Sequence, residues 1–300
     1  MNSVIDYYYG IKNIEVYDLK NRYYFSYNNN SYFFIKVDLN YYNVDMVNKI
    51  YDITKKYGIY SDEIIKNRQN QTLTFFNNDY YVLIKDNSKK YMIDINDILY
   101  LENNPIDFKF NKTINWDILW ENKIDYYEKQ FNKISNKYSI VSSFMDYYIG
   151  LGENAISYLV NSGINIDKSV ISHRRIDYNT TTFDYYNPFN FIIDSRVRDF
   201  SEYIKSIFFN ENIDAYVVIS YLDYMNFNRN DYILLISRLL FPTYFFDMVD
   251  RIINNLEDEI IIKKVITKSK DYILLIKSIF YHIIYEKGFN IPTIEWIMKS

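Results

Sequence analysis

Arg22-Tyr23-Tyr24-Phe25-Ser26-Tyr27, Asn28-Asn29-Asn30 and Tyr32-Phe33-Phe34-Ile35-Lys36-Val37 read as strand, turn and strand. Aromatic and β-branched residues suit a half-buried pleated surface, and asparagine tolerates the left-handed backbone of a tight turn. A helix is expected next, from Val44 to Tyr57. Val44, Val47, Ile50, Tyr51 and Ile53/Thr54 keep a helical spacing, Asn43 is placed to cap the first turn, and Gly58 to end the last. Gln71–Phe76 and Asp79–Lys85, joined by Asn77-Asn78, repeat the hairpin signal. The first hundred residues are therefore expected to form an antiparallel sheet with one helix.

From Ile114 onward the period changes. Trp116, Trp120, Ile124, Tyr127 and Phe131 make one helical stripe, and Ser142–Leu159 a second helix. Two short apolar stretches, Val170–Ser172 and Phe191–Ile193, read as strands. Helices are expected over Phe200–Phe209, Ala215–Met225, Asp231–Leu240, Tyr244–Leu256, Glu257–Thr267, Lys270–Glu286 and Thr293–Met298, with Pro242 and Pro292 at joints. The expected class is α+β. A β-rich lobe over 1–100 precedes a helical lobe over 101–300, with a cleft between them. The boundary is expected within 86–113, around Asn103-Asn104-Pro105.

Composition narrows the chemistry. At 49% hydrophobic and 20% aromatic, the 300 residues are globular rather than disordered. Enrichment in Tyr, Asn, Ile and Lys follows AT-rich codons, and no repeat demands another account. A net charge of −4 argues against broad nucleic-acid binding. The absence of cysteine excludes disulfides, thiolate metal sites and a cysteine nucleophile. With only His173 and His282, a multi-histidine zinc site is excluded too. The opening MNSVIDYYYG lacks the basic and apolar regions of a signal peptide. The apolar run Tyr232–Phe241 is short for a membrane span. A protein kept inside the cell is expected.

Between the two short strands lies His173-Arg174-Arg175-Ile176-Asp177-Tyr178-Asn179-Thr180, and Asp194 closes the second strand. Arg175 is no general base, because a guanidinium stays protonated at any physiological pH. The pair Arg174-Arg175 is suited to a phosphate or carboxylate, or to internal pairing with Asp177, Asp194 or Asp199, the pairing favoured here. Asp194 is placed either to hold magnesium or to serve as a turn acid. The run Asp194-Ser195-Arg196-Val197-Arg198-Asp199 also reads as a salt-bridge knot. Lys36, flanked by apolar residues on its strand, is a candidate to reach a phosphate. The next helix offers it Asp45 and Asp52 but no Glu, and no glycine-rich phosphate loop precedes it.

These segments carry a resemblance. Tyr32–Asp38 (YFFIKVD), Glu63–Asn67 with Tyr80–Ile84, Tyr148–Ile156, Ile171–Asp177 (ISHRRID), Asn187–Lys205, Leu240–Asp247 (LFPTYFFD) and Ile291–Trp296 (IPTIEW) cover nearly the whole chain. In them the chain resembles the spore-coat-associated, aminoglycoside-phosphotransferase-like proteins of endospore-forming Firmicutes. Through these it resembles the choline-kinase and protein-kinase-like fold. The resemblance implies a two-lobe kinase-like architecture, ATP and Mg2+ as cofactors if the chain is active, and spore-coat proteins as partners. It implies a location in the cytoplasm, mother cell or spore coat. It matches His173 to the loop histidine, Lys36 to the phosphate lysine and Asp194 to the metal aspartate. It also sets Arg175 where the family has its catalytic Asp, and Thr180 where it has a metal-binding Asn. Asp177, two residues on, is the one acid nearby to substitute. Two functions follow: a kinase-like protein that binds without catalysing, or an active ATP-dependent phosphotransferase on a small hydroxylated metabolite or a coat protein.

Overall fold

The computed structural model describes residues 1–20, 22–88, 91–106, 116–165, 169–211 and 213–300, with the backbone alone at 132 and 133. Within the stretch 86–113 where a boundary is expected, 89–90 and 107–113 lie outside the described residues. The chain groups into two compact units. One comprises Met1–Asp97 with Ile171–Ile193, the other Ile98–Val170 with Asp194–Ser300.

In the first unit, α1 (Asn2–Tyr9) precedes β1 (Tyr17–Asp18), β2 (Arg22–Tyr27), β3 (Asn30–Val37), α2 (Val44–Tyr57), β4 (Glu63–Ile65), β5 (Thr74–Phe76) and β6 (Asp79–Asp86). The strands form one antiparallel sheet in the order β1-β2-β3-β6-β4, with β5 beside the start of β6. Both hairpins turn where the asparagines predict. Asn28 and Asn29 have φ of 49° and 59°, Asn77 and Asn78 of 49° and 63°. These are the angles of two-residue turns whose twist suits the flanking strands. The expected bounds of α2 are met, with Asn43 accepting the Met46 backbone N–H at 3.0 Å and Gly58 left-handed at φ 64°.

Strand alternation sorts the sheet into two faces. Phe33, Ile35, Val37, Val82 and Ile84 pack on Val47 and Tyr51 of α2, together with Phe183 and Phe189. Phe25, Phe34, Tyr81 and Leu83 pack instead on Val4 and Ile5 of α1 and on Ile11. Each such buried phenylalanine contributes about 1.5–3 kcal/mol. Both faces are thus covered.

The chain continues through α3 (Ile95–Glu102), α4 (Trp116–Lys137), α5 (Ser139–Asn161), β7 (Ser169–His173), α6 (Thr182–Tyr186) and β8 (Phe191–Ser195). It ends in α7 (Arg198–Asn210), α8 (Ala215–Asp223), α9 (Arg229–Leu240), α10 (Thr243–Ile253), α11 (Lys263–Tyr281) and α12 (Glu295–Lys299). Aromatic stacks hold the helical unit: Trp120 on Phe241 at 4.6 Å, Tyr127 on Phe246 at 4.4 Å, and Tyr148 on Phe245 at 3.7 Å.

Two expected helices, Glu257–Thr267 and Lys270–Glu286, are corrected. A 3-10 turn over Glu259–Ile262 leads into the single helix α11, which passes without a break through Lys268-Ser269-Lys270. No Gly or Pro interrupts it there, and Val265, Tyr272 and Ile276 keep one face buried throughout. A last turn over His282–Glu286 widens to π geometry. The stretch Arg229–Ile253, which contains α9 and α10, is long and apolar enough on composition alone to cross a membrane. Its apolar window is 78% buried inside the protein, as in a core helix.

Candidate functional site

His173 ends β7 as a packing residue. Its Nε2 lies 2.6 Å from the Tyr185 carbonyl oxygen, and its ring stacks on Tyr185 at 4.0 Å and meets the edge of Phe191 at 5.4 Å. Arg174 follows, its backbone N–H donating to the Asn190 carbonyl at 3.1 Å. Its guanidinium lies over the rings of Tyr41 and Tyr42, 5.1 and 5.4 Å from their centres. The motif gave no hint of these aromatic neighbours, because Tyr41 and Tyr42 lie more than 130 residues earlier in the chain. The Arg175 side chain is exposed.

Asp177 is folded into its own turn. Its Oδ1 accepts the Asn179 N–H at 2.8 Å and the Thr180 hydroxyl at 3.4 Å, while its backbone N–H donates to Thr180 Oγ1 at 2.9 Å. The one acid near position 175 and the residue at the expected metal-ligand position are therefore engaged with each other.

Lys36 shares a face with Phe34, because alternation sends Ile35 to the α2 side and Lys36 to the α1 side. Its ammonium pairs with Asp79 Oδ2 at 2.8 Å, and that hydrogen bond holds the lysine above its ordinary pKa. A lysine that pairs with an acid of α2 must stand on the other face. The cation there is Arg22. It is in register with Ile35, pairs with Asp184 Oδ1 at 3.0 Å, and lies 5.0 Å from the ring centre of Phe33 and 5.1 Å from that of Phe183. Arg22 and Asp184 were not singled out in the sequence. The asparagine turn held the signal, since it fixes the register and with it the face of every residue on β2.

Asp194 lies in the helical unit, at the end of β8, and is buried. Its Oδ1 accepts the Trp116 indole N–H at 3.1 Å and its own neighbour Ser195 N–H at 2.6 Å. Arg198 reaches Oδ2 at 3.2 Å, and Arg238 reaches Oδ1 at 3.5 Å. Both guanidiniums also lie over the Trp116 indole, at 4.8 and 4.0 Å. The salt-bridge knot expected from the sequence is present for Arg198. Arg196 departs from it, donating to the carbonyls of Glu102 and Asn226 at 2.9 and 2.8 Å. Arg238, from α9 and fully buried, was not foreseen, since nothing in α9 marks it as a partner.

The network runs on from Arg238. Glu202 lies 4.0 Å from it and accepts Lys205 Nζ at 2.7 Å and the Thr243 hydroxyl at 2.8 Å. Burial alone would raise the Glu202 carboxyl; Lys205, Arg238 and Thr243 overcome that and hold it below its ordinary value. Burial pushes Arg238 down, with Asp194 opposing. Burial of unpaired charge is costly, and here each charge has a partner. Among the described residues no group of three or more His, Asp or Glu side chains is placed to hold a metal ion.

The sequence matches the family described as "Spore coat putative kinase YutH" over residues 2–274. The chain belongs to this family. Within known proteins it is similar to the endospore coat-associated protein YutH of Bacillus subtilis (strain 168), 29% identical over 188 residues. That similarity covers 53% of this chain and 51% of the relative, so the chain spans about half the length of the curated protein it matches. Among solved structures it is similar to an aminoglycoside phosphotransferase from Alicyclobacillus acidocaldarius. The TM-score is 0.70 at 10% identity, over 94% of this chain and 96% of that one. It is also similar to the AMP-bound spectinomycin phosphotransferase APH(9)-Ia, with a TM-score of 0.50 at 10% identity over 88% and 96%. The fold is thus that of the aminoglycoside phosphotransferases, with a sheet-bearing N-terminal region and a helical C-terminal region, as the family resemblance implied.

Proposed function

We propose that this chain is a kinase-like member of the spore coat that works by binding its partners in coat assembly rather than by transferring phosphate. One observation carries the reading: the Asp194 carboxylate is committed to Arg198, Arg238 and the Trp116 indole. Magnesium needs oxygen ligands free to face it and to bridge phosphate oxygens. Two guanidiniums already neutralise this carboxylate; Arg198 takes Oδ2, while Arg238, the Trp116 indole and the Ser195 N–H share Oδ1. Thr180 offers a neutral hydroxyl engaged in a turn, Lys36 stands on the α1 face of the sheet, and an arginine occupies the position of the base. These residues do not fit a magnesium–nucleotide site. The coat role draws on the family and on the relative's name.

The test is calorimetric titration of the full chain with ATP, with and without magnesium. The expected result is no saturable binding that magnesium strengthens. Tight, magnesium-dependent binding would return the chain to the active phosphotransferases, with a small hydroxylated metabolite or a coat protein as acceptor. A second arm uses Arg175→Asp. That change restores a carboxylate at the base position but leaves Asp194 caged, so no nucleotide turnover is expected. Turnover in the variant would mean that loss of the base alone silenced the chain. The coat role is checked in an endospore-forming host, where a fluorescent fusion is expected in the coat layer; a fusion that stays diffuse in the mother cell sinks that part.

A further inference from the structure

Asp62 lies just ahead of β4, in the sheet-bearing unit, and is fully buried. Its Oδ1 accepts the Asn87 backbone N–H at 2.9 Å, and its Oδ2 has no hydrogen-bond partner among the described residues. Its own N–H donates to the Tyr186 carbonyl at 2.9 Å, and the Asn87 side chain reaches the Ser61 carbonyl at 3.4 Å. One side chain therefore joins the entry of β4 to the chain leaving β6, with the end of α6 beside it.

The charged and titratable groups around it are mostly acids. From the end of β6 comes Asp86, whose carboxylate accepts the Ser88 N–H and hydroxyl. Asp184 of α6 is held by Arg22. Tyr186 donates its hydroxyl to Asp97 of α3 at 2.7 Å and meets the ring of Tyr60 edge-on at 4.6 Å. Glu63, next in the chain, pairs with Lys85 at 3.8 Å. The lysines ending α2, Lys55 and Lys56, lie over Tyr51 and Tyr57. Among the described residues no lysine or arginine pairs with Asp62.

We propose that Asp62 is a proton-operated latch, closed on Asn87 while its carboxyl is neutral and expelled toward water when it ionises. A buried carboxylate needs two or three N–H donors or a cation to stay ionised. Among the described residues Asp62 has one donor, and the charges that act on it, Asp86 and Asp184, repel it. Burial accordingly raises its carboxyl to about 8, with Asp86 and Asp184 adding to the rise and the Asn87 N–H opposing it. Ionisation breaks the tie between Asp62, at the entry of β4, and Asn87, just past β6, without disturbing the two hydrophobic faces of the sheet. The latch stands apart from the function proposed above and holds whether or not the chain transfers phosphate.

The test is carbon NMR of the Asp62 carboxyl in the full chain, read alongside the Asn87 amide. The carboxyl is expected to titrate with a midpoint near the value given above. The Asn87 amide should shift with the same midpoint, and its protection from exchange, corrected for intrinsic base catalysis, should fall above it. Asp62→Asn keeps an acceptor oxygen of the same shape but carries no charge. Its Asn87 amide should stay unchanged from about pH 6 to about pH 9. Asp86→Asn should lower the Asp62 midpoint by removing a repelling neighbour. An Asp62 that titrates in the ordinary carboxylate range overturns the latch. So does an Asn87 amide that moves with pH in Asp62→Asn as it does in the parent. The titration of the parent chain and the Asp86→Asn shift decide the matter without the Asp62 variant.

Discussion

Asp194→Asn is expected to cost about 3–5 kcal/mol of folding stability, read as a fall in the midpoint of urea unfolding of the full chain. The substitution removes the shared counter-ion of Arg198 and Arg238, and Arg238 is buried deep in the helical unit. Arg238 then keeps its desolvation penalty with only the more distant Glu202, 4.0 Å away, to offset it. Asn still offers an oxygen to the Trp116 indole, so the loss isolates the charge. A carboxylate dedicated to a metal behaves in the opposite way, because neutralising an uncompensated acid relieves repulsion. The sign of the change therefore separates the two roles of Asp194. Arg238→Met in the same background is expected to recover much of the loss. An Asp194→Asn variant as stable as the parent would remove the cage as a structural element, and with it the main support for a non-catalytic reading.

Asp62→Asn is expected to do the reverse and raise stability, by an amount that grows with pH. Burial pushes the Asp62 carboxyl up to about 8 in the folded chain, against 3.8 ordinarily. Between those values the folded state holds a proton that the unfolded state has released. The parent therefore loses stability as pH rises through that window, at up to about 1.4 kcal/mol per pH unit from this group. The variant has no such proton. Below the ordinary carboxylate value the two chains should differ only by the constant effect of the substitution. Toward pH 8 the gap should widen by several kcal/mol, on the order of the full shift. Guanidinium unfolding at a series of pH values checks the slope, which the constant effect leaves untouched. Parallel parent and variant curves would show that Asp62 ionises in the folded chain as it does in the open one.

Much of the fold was legible because it is local. Asn28-Asn29 and Asn77-Asn78 turn the chain by their own tolerance of positive φ, and Asn43 and Gly58 bound α2 through contacts within one helical turn. The site was less legible because its chemistry is not local. The motif at 173–180 gives the missing base by inspection, since Arg175 needs no partner to be disqualified. The identity of Asp194's partners depends on α4 and α9, which meet it through packing that no spacing records. Lys36 illustrates an intermediate case. Its strand was correctly read, yet its face is decided by where α1 and α2 lie, and α1 was not expected. The division of α11 failed for a related reason: three polar residues in a row look like a joint until the buried face on either side is known to be continuous.

Trp116 has a use that follows from where it sits. Its indole lies against two guanidiniums and donates to the carboxylate they share. The emission energy of an indole responds to the charges around its ring, so any event that pulls Asp194 away from Arg198 and Arg238 changes the colour of this fluorophore. The chain has two other tryptophans: Trp120, stacked on Phe241 with Arg238 6.0 Å from its ring centre, and Trp296 at the surface, whose indole N–H donates to Asn154. A single-tryptophan derivative keeping only Trp116 thus turns the ion cage into an optical gauge, able to report capture of the carboxylate by a metal or a partner without any added label.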